Sequence, residues 1–164
     1  MNKSSLILRA AFVAALVSSA SVFAADSTTQ SVTFEVTAIN ELSVSGNPGT
    51  LTVSTATAGS APNAVSDATT TYAITTNESS RKITAAIDTA MPAGVTLTAE
   101  LAAPTGGTST GAVALGTTAV DSVTGITTLN EIAKTITYSL SATSAAGVVT
   151  SASKTVTFTI VAGV

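Results

Sequence analysis

The chain has 164 residues, with six Lys and Arg, nine Asp and Glu, and no His, Cys or Trp. Without His or Cys there is no His-dependent triad, no Cys nucleophile, no zinc site of the usual kind and no haem or iron–sulfur ligation. The charges are sparse and form no run of either sign, which excludes the clustered Lys and Arg that nucleic acids and anionic lipids require.

Residues 1–24 read as a cleaved secretory signal peptide of bacterial type. Lys3 and Arg9 form its positive start, Ala10–Val17 its short apolar run, and Val22 and Ala24 the −3 and −1 residues of a small-residue cleavage site. Cleavage is expected after Ala24, with Ala25 as the alternative. The apolar run is too short to span a bilayer, and no Cys follows it to carry a lipid, so no membrane anchor is expected. The remainder, 25–164, is 140 residues with nine acids against four bases, a net of −5. That length suits a single domain with its own core.

Beyond the signal the dominant pattern is period-2 alternation, Val, Ile, Phe or Tyr on one side and Thr or Ser on the other. In chain order, strands are predicted at Ser31–Val36, Leu42–Val44, Leu51–Val53, Thr71–Thr75, Ile83–Ile87, Val95–Leu101, Val113–Leu115, weakly at Gly125–Leu129, and at Thr135–Leu140 and Thr155–Ile160. Turn sequences separate them: SGNPGT at 45–50, TAGSAPN at 57–63, NESSRK at 77–82, MPAG at 91–94, APTGGTSTG at 103–111 and SAAG at 144–147. The expected fold is all-β: one Ig-like or jelly-roll-like antiparallel β-sandwich of about eight to ten short strands, with almost no helix. Three of Phe34, Tyr72, Tyr138 and Phe158 are expected in the core.

No catalytic, cofactor-binding or metal-binding residue is predicted. Glu35, Glu78 and Glu100 read as polar-face or loop residues rather than a hydrolytic carboxylate pair. Asn77–Ser79 fits the N-x-[ST] glycosylation pattern, but a hairpin turn accounts for it. Lys134 and Lys154, which head strands, read as exposed edge charges rather than isopeptide partners. The glycine-rich segments lack the Lys of a phosphate loop and read as turns.

SVTFEV at 31–36 and TVTFTI at 155–160 are two versions of one strand. Val32, Phe34 and Val36 form the dry face of the first; Val156, Phe158 and Ile160 form that of the second. These six are the candidate subunit-contact residues. A cysteine-free, Thr/Ala/Val-rich sandwich with strand-forming segments at both ends resembles the subunits of bacterial surface fibres, the chaperone–usher pilins and the TasA/camelysin-type matrix-fibre proteins. It departs from the pilins in having no cysteine pair and in Gly163 standing next to last. The resemblance implies addition of a terminal strand to a neighbour's sheet.

The simpler expectation makes Ser31–Val36 and Thr155–Ile160 ordinary strands of one sandwich; the other makes the first an arm that inserts elsewhere. The expected function is a non-enzymatic structural subunit of an extracellular fibre, pilus or surface coat, self-associating into a homopolymer at the cell surface or in a biofilm. The alternatives are a monomeric Ig-like adhesin or carbohydrate-binding module and, remotely, a carboxylate-dependent secreted hydrolase.

Overall fold

The computed structural model describes residues 26–163. The signal peptide expected at 1–24 and its cleavage site lie outside the described residues. The chain divides into two units, Met1–Glu35 and Val36–Val164. In the described part of the first, Asp26–Glu35, there is no strand, and every residue is exposed.

Among its described residues the second unit contains nine strands: β1 (Asn40–Val44), β2 (Val65–Thr76), β3 (Arg81–Ile87), β4 (Val95–Leu101), β5 (Thr108–Ser109), β6 (Val113–Ala114), β7 (Val120–Ile126), β8 (Leu129–Ala142) and β9 (Val156–Ala162). Every pairing is antiparallel. One sheet has the order β1-β2-β8-β4-β6 and the other β5-β7-β3-β9. The fold is therefore all-β, and among the described residues the sole helical element is a 3-10 turn at Ser144–Ala146.

The alternation decides what is buried. On β3, Ile83, Ala85 and Ile87 turn inward, on β4 Ala99 and Leu101, and on β8 Ile136 and Tyr138, while the residues between them are less buried. With Tyr72 and Ile74 of β2 and Val123 and Ile126 of β7 they form one core fed by both sheets, an arrangement consistent with a β-sandwich.

Two bulges reset this pattern in the long pair β2–β8. The register breaks between Asp67 and Thr70 and again between Tyr72 and Ile74. At the second break Ala133 has φ 58°, and Ile132 is pushed to 80% exposure. An extra residue on one strand reverses the faces beyond it. At the first break the Asp67 carboxylate accepts from the Thr69 N–H at 3.0 Å and from its hydroxyl at 2.7 Å.

Several predicted elements need correction. Ser31–Val36 belongs to no strand, and Phe34 is 89% exposed rather than in the core. Of the other three aromatics, Tyr72 and Tyr138 are buried in the core and Phe158 packs against it partly buried. Leu51–Val53 is not a strand. Conversely β5 lies within a segment read as turn, and β7 starts well before the weak prediction at Gly125. Both are paired by partners distant in sequence: β5 on β7, and β7 on β3.

The MPAG turn behaves as its residues require. Val95 N–H donates to Pro92 O at 3.0 Å, and the turn closes onto the 3-10 segment through Thr143 N–H to Gly94 O at 2.8 Å. Gly94 has φ +78°, and a Cβ there would stand 2.7 Å from Thr143 Oγ1 and 3.0 Å from Ala146 N. Gly94→Ala is expected to lower the unfolding free energy by about 2 kcal/mol, read from the urea midpoint.

Candidate functional site

The six candidate contact residues divide into two groups. Val156, Phe158 and Ile160 lie on β9, half-buried against the core. Val32, Phe34 and Val36 belong to no strand among the described residues and are 77%, 89% and 78% exposed. A run of large apolar side chains at i, i+2 and i+4, all in water, is unusual for a soluble chain.

β9 is the edge of its sheet, with β3 on one side and, among the described residues, no strand on the other. Its hydrogen bonds reveal which groups are free. Asp88 N–H donates to Thr155 O at 3.1 Å, and Gly163 N–H donates to Ser80 O at 2.6 Å. In an antiparallel pair successive residues point their main-chain groups to opposite sides. Thr157, Thr159 and Val161 therefore face β3, and Val156, Phe158, Ile160 and Ala162 present N–H and C=O outward.

β1 is the edge of the other sheet. Ser45 N–H donates to Thr71 O and Asn77 N–H to Ile39 O, so by the same alternation Asn40, Leu42 and Val44 turn their main-chain groups away from β2. The edges β1 and β9 border a common groove of about 250 Å³, lined by Leu42, Ser43, Val44, Val156, Thr157 and Phe158. It is a seam between the sheets, apolar within and rimmed by unpaired backbone. Edges of this kind are normally blunted by Lys, Pro or a bulge. β9 contains neither Lys nor Pro, and Lys154, just before it, is directed at Thr89 Oγ1 (2.7 Å) and Ala90 O (2.9 Å).

The chain entering β1 is held by a polar clamp. The Asn77 side chain donates to Thr37 O at 2.8 Å and accepts from Ile39 N–H at 2.8 Å, imitating a strand partner. Beside it Thr76 Oγ1 donates to Asn40 Oδ1 at 2.8 Å, and Glu78 accepts from Asn40 and pairs with Arg81. Asn77 lies in the short connection between β2 and β3, but those strands belong to different sheets, so the connection crosses from one sheet to the other and is not the hairpin turn expected; the Asn77 Nδ2 is committed to Thr37. Its partners are about 40 residues away in sequence, so no local signal could have revealed the clamp.

The other carboxylates and lysines are dispersed. Glu35 is exposed, Glu100 is exposed on β4, and Glu131 pairs with Lys134 at 3.1 Å. Among the described residues no three acids approach closely enough to hold a metal ion, and no helix is long and apolar enough to cross a membrane. A second cleft of about 330 Å³ over β1, β2 and β8 is lined by Glu41, Ser43, Thr75, Asn130, Ile132 and their neighbours, with no aromatic side chain on which a sugar ring could stack.

Hydrogen bonds from the Asn40 side chain and then from Arg81 hold the Glu78 carboxyl below its ordinary range. Glu131 is lowered by Thr105, and Asp67 by the Thr69 hydroxyl and N–H. A carboxyl whose folded pKa is depressed contributes stability above its unfolded pKa, and loses it as pH falls through the folded value. Stability is thus expected to decline with acidification below the ordinary carboxylate range, and Glu78→Gln to flatten that decline in urea titrations across pH. Comparison with protein-family models, with characterised proteins and with solved structures returns no match.

Proposed function

We propose that this chain is a non-enzymatic structural subunit of an extracellular bacterial fibre, pilus or surface coat, exported through a cleaved signal peptide. Its domain is read as an Ig-like or jelly-roll-like sandwich, and its copies self-associate through strand or edge pairing. The observation that carries this reading is the arm. Val32, Phe34 and Val36 form an alternating apolar face with a strand's periodicity but, among the described residues, no partner strand, on a chain that also has an unblunted sheet edge. Apolar area of that size is stabilised by removal from water, at about 25 cal/mol per Å², and edge pairing satisfies the backbone at the same time. The composition is compatible with the same reading: a sparsely charged, hydroxyl-rich, cysteine-free chain suits a polymer outside the cell.

The test compares the chain beginning at Ala25 with one beginning at Thr37, by negative-stain electron microscopy and sedimentation velocity over a wide concentration range. The longer chain is expected to form filaments or concentration-dependent oligomers, and the shorter one to remain monomeric. A longer chain that is monomeric throughout refutes the reading.

A further inference from the structure

We infer that the free edge of β9, at the seam with β1, is the acceptor for the arm of a second copy of this chain, which adds there as one further strand. The inference rests on the assembly reading above and specifies its contact.

Length and periodicity match. Ser31–Val36 extended spans roughly 20 Å at about 3.3 Å per residue, against a β9 of seven residues. Four consecutive outward-facing positions on β9, namely Val156, Phe158, Ile160 and Ala162, offer main-chain donors and acceptors. β1 offers three, over a strand of five residues, which makes β9 the longer template. A strand laid on β9 continues the pleat. Its Val32, Phe34 and Val36 then project toward Leu42, Val156 and Phe158 in the groove, and Thr33 and Glu35 project to the water on the Thr157 and Thr159 side. A register slip of one residue would expose the apolar set, and a slip of two would keep it buried, so the face is specified more strictly than the position.

The clamp argues for a second copy rather than the chain's own arm. The seam runs alongside Leu42–Val44, and the chain reaches β1 through Thr37–Ile39. An arm returning along its own β1 needs a reversal of at least two residues immediately before Asn40. That reversal would break the bonds from Asn77 to Thr37 O and Ile39 N–H and from Asn77 N–H to Ile39 O. The clamp holds those residues in line with the strand instead.

The chain has no cysteine, so engineered pairs report cleanly. Single-cysteine chains carrying Thr33→Cys are mixed under mild oxidation with chains carrying Thr157→Cys, Thr159→Cys or, at the opposite edge of the same sheet, Thr108→Cys. Because a disulfide requires Cβ atoms within about 4 Å, linked dimers are expected in roughly tenfold excess with Thr157→Cys or Thr159→Cys over Thr108→Cys. Preferential linkage to Thr108→Cys overturns the inference, as does absence of linkage in samples whose parent chain forms filaments; both leave the assembly reading standing. A Thr33→Cys/Thr159→Cys chain that closes on itself as a monomer assigns the seam to its own arm and also overturns it. A parent chain monomeric at all concentrations removes the assembly reading itself.

Discussion

With Val32 and Phe34 both replaced by aspartate, the chain is expected to sediment as a monomer at concentrations where the parent assembles, yet to unfold at the parent's denaturant midpoint. The two halves of this expectation have separate causes. Both side chains are more than three-quarters exposed and belong to no strand, so the monomer loses no packing when they change. An assembled arm would bury them, at about 1.5–3 kcal/mol each, and a carboxylate placed in an apolar groove adds a desolvation cost. Together the losses reach at least about 3–6 kcal/mol, two to four decades in association constant at 1.4 kcal/mol per decade. Sedimentation velocity and urea unfolding on the same preparation check both. A lowered unfolding midpoint would mean that the arm packs within its own monomer, and unchanged assembly would remove the arm from the contact.

Tyr72→Ala is expected to cost about 3–5 kcal/mol of stability, enough to unfold a large share of a marginal domain. Tyr72 is 1% exposed and belongs to the buried core. Its hydroxyl donates to Ala102 O at 2.6 Å. Tyr72→Phe keeps the ring and removes that bond, and is expected to cost about 1–2 kcal/mol. A pH signature separates this hydroxyl from simple volume loss. Burial, and then the Glu131 charge, push the Tyr72 hydroxyl from its usual 10.0 to about 12. Between those values the unfolded chain releases its proton while the folded chain retains it, so stability falls as pH rises. Tyr72→Phe should lose its share of that alkaline decline, and burial of Tyr138, which is also raised, should leave the remainder. Urea midpoints at neutral pH and near pH 11 measure it.

Much of the strand framework was legible locally. Val95–Leu101 is a strand with the predicted bounds, and Ile83–Ile87, Thr71–Thr75 and Thr135–Leu140 lie within β3, β2 and β8. In each, apolar residues recur at every second position, and that alternation is the signature of a half-buried pleat. Where local pattern failed, pairing had decided. β5 is only Thr108–Ser109, held within a glycine-rich turn by Thr124 and Val123 of β7. Ile132 has the spacing of an inward residue relative to Ile136, but the bulge at Ala133 turns it outward. The candidate site shows the same division. Val156, Phe158 and Ile160 were legible as a dry strand face, but the groove, the β1 edge that completes it and the Asn77 clamp come from residues far apart in sequence.

The two end segments show most plainly what the sequence by itself determined. SVTFEV and TVTFTI have the same alternation, nearly the same residues and the same reason to lie on a pleat. Their class, extended with one apolar face, was fixed locally by side-chain periodicity and backbone sterics. Their fates differ because a strand is completed by a partner. TVTFTI lies within β9 in register with Ile83, Ala85 and Ile87 of β3, and SVTFEV has no such partner among the described residues of its own chain. Which strand obtains a ladder depends on contacts some 70 residues distant, and only the tertiary structure decides them.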